Sequence, residues 1–204
     1  MDARTQKSEM TRAAIVGAAL DLALAEGLET ITLQAVADRL GLSKSGVFSR
    51  IGSREALQKA VIDEFGRRFL ADVFVPAVQQ PKGLPRLNAI VQRWIVRTRD
   101  VEAHTGCVYS AGAFELDDRE GPLRDHLHGE ITRWRAALRR TIVQAVESGD
   151  LRSDTDPEQL VAEIYALMLG LIHDTRFLRD PRASERAQAS WQRLVKSYQP
   201  SFQP

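Results

Sequence analysis

Apolar residues recur along this chain three and four positions apart, the spacing of one buried face of an α-helix. Ile15, Ala18, Ala19 and Leu22 predict a first helix over residues 11–26, stopped by Gly27, with Leu28 and Ile31 folding back over a small core. Residues up to about Glu9 are polar and are expected to be loose, with Arg4 and Lys7 either solvated or reaching a phosphate. Leu33, Val36, Ala37 and Leu40 predict a short second helix that Thr32 caps and Gly41 ends. Ser43 caps a third, whose inward face is Val47 and Ile51, before a break at Gly52 and Ser53. A longer fourth helix carries Leu57, Val61, Phe65 and Phe69 to about Pro76.

The pattern continues beyond a linker over residues 76–85, which contains Pro81 and Gly83. Leu87, Ile90, Val91, Trp94 and Ile95 form a stripe over residues 84–102, with Arg93, Arg97 and Arg99 beside it as surface cations or contacts for an anionic ligand. Residues 104–120 leave two readings open, since small residues among Tyr109, Phe114 and Leu116 suit either a cavity wall or tight helix packing. Pro122 starts a long helix built on Leu123, Leu127, Ile131, Trp134, Leu138, Ile142 and Val146. Asp156 and Pro157 open another that is apolar on most sides between Leu160 and Leu178, so a second copy of the chain is expected to cover what one chain leaves open. The last helix, over residues 184–198, offers Ala187, Trp191, Leu194, Val195 and Tyr198 as a partner face.

Two short helices separated by Gly41-Leu42 and closed by Gly52 read as a helix-turn-helix. Its charge is one-sided: between residues 39 and 54 the charged residues are Arg39, Lys44, Arg50 and Arg54, with no carboxylate, in a chain of formal net charge +1. Small residues at the start of the third helix permit close approach in a major groove, where Ser, Lys and Arg side chains reach base edges or phosphates. Candidate base or nearby backbone contacts are Lys44, Ser45, Ser49 and Arg50, with Gly46 and Phe48 on the same face. Candidate phosphate contacts are Thr32, Gln34 and Arg54.

The segment TRAAIVGAALDLALAEGLETITLQAVADRLGLSKSGVFSRIGSREAL, residues 11–57, resembles the DNA-binding domain of the TetR family of bacterial transcriptional regulators. The likeness lies in the Glu-Gly ending of the first helix, the Thr opening the second, Ala-Asp-Arg-Leu-Gly, a Ser-Lys start to the third helix, an aromatic, and a Ser-basic pair before the fourth. Two positions depart from the family pattern. Phe48 stands where Tyr is usual, which is expected to retain packing and lose a phosphate hydrogen bond, and Ile51-Gly52 replaces an aromatic and Pro. The later run GPLRDHL, a Trp-containing helix, AVESGDLRSDTDPEQL and a long apolar helix are similar to the ligand-binding domains of some members.

The resemblance implies an all-α fold with a helix-turn-helix head over residues 1–55 and a helical effector-binding and dimerisation domain over residues 56–204. It also implies a homodimer built on the last two helices. The function expected is a ligand-responsive repressor on a palindromic double-stranded DNA operator, released by a small-molecule effector. The alternatives are an activator or constitutive DNA-binding protein, or a carrier or enzyme. Candidate lining residues for a largely apolar effector are Trp94, Tyr109, Phe114, Trp134 and His173, with His173 read as packed or hydrogen-bonded in the core.

Composition narrows the alternatives. With 204 residues, 44% of them hydrophobic, the chain can fill a core, and no apolar run reaches the ~18 residues of a membrane span, so a cytoplasmic protein is expected. The single Cys107 has no second thiol to pair with. His126 and His128, two apart on a helix, point in different directions, so no metal site and no cofactor are expected. No Gly-rich phosphate loop or nucleophile elbow supports catalysis.

Overall fold

The structure, a computed structural model, describes residues 3–200, and of residues 3 and 4 the backbone alone. Every regular element among the described residues is helical. In chain order these are α1 (Ala3–Glu26), a 3-10 turn (Leu28–Thr30), α2 (Leu33–Leu40), α3 (Lys44–Ile51), α4 (Arg54–Ala77), α5 (Leu84–Arg97), α6 (Val108–Glu115), α7 (Pro122–Glu147), α8 (Pro157–Arg176) and α9 (Ala183–Tyr198). A π-helical turn, Thr98–Glu102, and a single α-turn, Ala103–Thr105, prolong α5. The helix boundaries follow the apolar stripes and caps closely, with one clear exception. The polar segment expected to be loose is the start of α1, which simply continues on residues of good helix propensity, with Thr11 Oγ1 donating back to the Lys7 carbonyl at 2.8 Å. The side chain of Arg4 lies outside the described residues.

The chain forms two compact units. One contains the residues up to Arg68 together with Thr105–Ile131; the other contains Phe69–His104 and everything from Thr132. The unit that holds the helix-turn-helix therefore reaches well past residue 55, taking in the first half of α4, all of α6 and the start of α7. Its core is Ile15, Ala19, Leu20, Leu28, Ile31, Val36, Ala37, Val47, Leu57 and Val61. Tyr109 of α6 packs on Phe65 of α4 at 5.1 Å, and a Cβ at residue 66 would push against the Tyr109 hydroxyl, so a larger residue there would displace that ring.

The second unit closes around Leu87, Ile90, Val91, Leu138, Ile142, Leu160, Ile164 and Trp191. Asp150 tethers the start of α5 by accepting from the Leu84 amide at 3.0 Å, and Trp191 Nε1 donates to Asn88 at 3.0 Å. Here the expectation of a surface arginine at residue 97 is overturned: Arg97 is buried, as are Thr98 and Glu102. The side chain falls seven residues after Ile90, on the inward stripe, and it is accepted there because two carboxylates meet it. Arg97 Nε donates to Glu102 Oε1 at 3.1 Å, the far side of the guanidinium pairs with Asp72, and the Phe69 ring lies 5.6 Å away. Thr98 Oγ1 adds a donor to the second Glu102 oxygen at 3.2 Å.

Burial pushes the Glu102 carboxyl above its ordinary range, against the weaker opposing pull of Arg97 and of the Arg97 and Thr98 hydrogen bonds. A raised acid keeps its proton in the folded chain at pH values where the unfolded chain has released it. Its stabilising contribution is therefore complete at low pH and is lost as pH rises through the folded value. In Glu102→Gln that titration is absent. Urea unfolding across a pH series should show the stability of the wild type falling relative to the variant as pH climbs above the usual carboxylate range, then levelling; a relative rise would contradict it.

Candidate nucleic-acid interface

The geometry of the head follows from three hydroxyl caps and one left-handed turn. Thr32 Oγ1 accepts from the Ala35 amide, Ser43 Oγ from Gly46 and Ser53 Oγ from Ala56, each at 3.0 Å, fixing the first turns of α2, α3 and α4. Between α2 and α3, Gly41 takes φ 64° and ψ 31°, a conformation that a Cβ disfavours. The Leu42 amide then closes on the Ala37 carbonyl at 2.9 Å.

Within α3, Val47 is the one buried residue, and Ile51 is half-buried. Lys44, Ser45, Phe48, Ser49 and Arg50 all face solvent, as the sequence pattern requires, and Gly46 is half-exposed. Lys44 has no carboxylate partner among the described residues. Arg50 Nη1 and Ser49 Oγ both donate to the Gly46 carbonyl, at 2.9 and 3.0 Å, so their polar ends are gathered on one side of the helix. Gly46 also has an internal reason to lack a side chain: a Cβ would sit 3.0 Å from the capping hydroxyl of Ser43. Phe48 departs from the expected packing. It is 57% exposed, an aromatic surface beside the cations rather than a core residue.

Of the phosphate candidates, Thr32 and Gln34 are exposed at the start of α2, Gln34 holding Asp38 at 2.7 Å. Arg54 differs from a free phosphate clamp. Its Nε donates to the Ile31 carbonyl at 2.8 Å and an Nη to the Glu29 carbonyl, bracing the segment that enters α2. Gln58, one turn on, donates to the Leu28 carbonyl at 3.0 Å.

A residue that the spacing arguments did not single out completes this brace. Glu115, at the end of α6, accepts from the amides of Leu28 and Glu29 at 2.8 and 2.6 Å, capturing the N-terminus of the 3-10 turn with a charged fork. Gly27, at φ 102°, makes room for it, since a Cβ would lie 3.1 Å from a Glu115 oxygen. Arg119 pairs with the Glu29 side chain from the same region. Nothing local in the sequence signals a contact across this separation; the nearest hint is the Glu26-Gly27 ending of α1.

The five effector candidates fare unequally. Trp94 and Trp134 are buried and meet edge to face at 5.6 Å, with Phe69 at 5.4 and 5.0 Å from them and Tyr165 at 5.5 Å from Trp94. The Trp134 indole N–H is buried with no hydrogen-bond partner among the described residues. Tyr109 is half-buried against Phe65. Phe114 is corrected outright: at 69% exposure it faces solvent from α6, because the inward positions of that helix are Val108 and Gly112. His173 is likewise no core residue. It is exposed, 3.1 Å from Asp174 and tilted over Phe177, on the rim of an open concavity of about 940 Å³ that Arg99, Arg176 and Arg179 also line.

Comparison with known proteins finds the same fold. Residues 83–191 match the family described as tetracyclin repressor-like, C-terminal domain. The chain is similar to the HTH-type transcriptional regulator TcmR of Streptomyces glaucescens, 25% identical over 203 residues that make up 98% of this chain and 87% of the relative. It superposes on a TetR-family transcriptional regulator from Cytophaga hutchinsonii with a TM-score of 0.80, at 20% identity over 96% of this chain and 98% of the other. It also superposes on AibR in complex with isovaleryl coenzyme A and operator DNA, with a TM-score of 0.70 at 18% identity over 94% and 99% of the two chains.

The Glu115 fork is open to a direct check. Glu115→Ala leaves the two amides of the 3-10 turn without their charged acceptor, and hydrogen bonds to charged groups are worth about 1.5–3 kcal/mol. Chemical denaturation should show a loss of about 2 kcal/mol; an unchanged midpoint would mean that water replaces the carboxylate at no cost.

Proposed function

We propose a function from one premise: the chain belongs to the TetR family of transcriptional regulators. In this reading it is a repressor that binds a palindromic double-stranded DNA operator as a homodimer and is released by a small-molecule effector. The observation that carries the reading is the outward face of α3, where Lys44, Ser45, Ser49 and Arg50 stand exposed around a single buried anchor. Such a helix enters the major groove with its polar side chains on base edges or adjacent backbone. Gly46 keeps the early turns of α3 slim, and the exposed Phe48 ring suits contact with a thymine methyl. Thr32 and Gln34 lie where a neighbouring phosphate would be met, and Arg54 serves chiefly to hold that end of α2 in place.

The dimer is assigned to α8 and α9. Leu169, Phe177 and Leu178 are exposed along and just beyond α8, and a Cβ at Gly170 would meet nothing within 4 Å, so that face is apolar and flat enough for a second copy. Two heads so joined read half-sites whose centres lie roughly 34–36 Å apart. The effector is assigned to the aromatic cluster of Trp94 and Trp134. The residues there suit a largely apolar molecule with one hydrogen-bond acceptor for the Trp134 N–H. AibR, whose complex holds both an acyl-coenzyme A and operator DNA, supports a two-ligand arrangement on this fold. Release requires the effector to bind the form that does not fit DNA more tightly than the form that does.

The test is binding to DNA fragments selected from the source genome by the purified protein, titrated at several salt concentrations. Affinity should fall linearly on a log–log plot, and Lys44→Ala should weaken all sequences alike while reducing the slope by about one. Arg50→Ala should cost about 1–3 kcal/mol and relax preference at the base pair it contacts. An affinity indifferent to salt would contradict the reading.

A further inference from the structure

Outside the head, α4 and α7 bring three potential metal ligands together in the first compact unit. Asp63 of α4 faces His126 and Glu130 of α7, and one ligand atom from each lies within 4.8 Å of the others. His126 and Glu130 are four residues apart and so share a helix face, while His126 Nε2 is 2.7 Å from Asp63 Oδ1. The sequence reading sets His126 and His128 aside as a chelating pair because they lie two apart on a helix. The ligands that His126 does meet are carboxylates, one of them sixty-three residues away in sequence.

We infer that Asp63, His126 and Glu130 form a binding site for a divalent transition-metal ion of the zinc class. One imidazole with two carboxylates is a borderline donor set, suited to Zn²⁺, Ni²⁺ or Co²⁺ rather than to Cu⁺, which needs sulfur. Around a tetrahedral ion with bonds of about 2.1 Å, donor atoms stand about 3.4 Å apart. Reaching that from the present arrangement asks the His126–Asp63 pair, now at 2.7 Å, to open slightly and the other donor atoms, now within 4.8 Å, to draw closer. Access from solvent is also present, because Asp63 is exposed and borders an open concavity of about 480 Å³ with Glu9, Arg12, Glu64 and Arg67. Three protein ligands leave a coordination position for water. The bound ion would tie α4 to α7, joining elements that a hydrogen bond between two partly exposed groups joins only weakly. The site does not depend on the DNA-binding reading, and neither does its test.

Full-length protein stripped with a chelator is titrated with Co²⁺, followed by competition with Zn²⁺. One equivalent per chain should bind with visible d–d bands that Zn²⁺ abolishes, and Zn²⁺ should raise the melting temperature. His126→Gln and Glu130→Gln should each weaken binding by about tenfold or more and remove the melting shift, whereas His128→Gln, on a different face of α7, should match the wild type. Helical circular dichroism of the metal-free variants checks folding, and Asp63→Asn, at an exposed position, supplies an independent variant of the same shape. No d–d bands at saturating Co²⁺, or an affinity unchanged in the three ligand variants, would overturn the assignment.

Discussion

A single buried valine governs how the head can be used. Among the eight residues of α3, Val47 alone is fully enclosed, by the core that α1 and α2 supply, so the helix is held along one narrow line. Everything polar on it must then point away from the protein. The caps at Thr32 and Ser43 and the left-handed Gly41 set where that line falls, and the absence of carboxylates between residues 39 and 54 makes the outward side cationic. The chain as a whole carries almost no net charge, so its attraction for a polyanion is a local property of this surface.

The segment that leads into α2 is held from several sides. Glu115 grips the amides of Leu28 and Glu29, Arg54 and Gln58 grip carbonyls of Glu29, Ile31 and Leu28, and Arg119 meets the Glu29 side chain. These partners come from the start of α4 and from the region of α6, and all but Arg119 are charged or amide groups acting on backbone. A displacement of α6 must either carry the loop with it or break a charged fork. That is the physical form a signal reaching the head through α6 would take, and it joins the motif to residues far away in the chain.

Much of the fold was legible because helices advertise themselves locally. Stripes at three- and four-residue spacing, hydroxyl caps and glycine stops predicted α2, α3, α4, α7 and α8 close to their observed limits, and the exposed positions of α3 followed from its two inward residues. What failed was whatever depended on partners distant in sequence. Arg97 reads as a surface cation until Asp72 and Glu102 are seen to enclose it. Phe114 and His173 read as cavity or core residues by their chemistry, yet the inward face of α6 belongs to Val108 and Gly112, and His173 falls on the open side of α8. Phe48 shows the same limit from the other side: an aromatic on a short helix was credited with packing that Val47 alone supplies. Glu115 and Asp63 carry no local pattern, because their meaning lies in what tertiary structure sets against them.

The central claim is that α3 enters a duplex, twice per assembly, through the surface that Val47 leaves free. Hydroxyl-radical footprinting of a selected genomic fragment tests it most directly. The account predicts two protected stretches on one face of the duplex, about one helical turn apart. Continuous protection without a helical repeat, or a footprint that persists when Lys44 and Arg50 are both replaced by Glu, would contradict it.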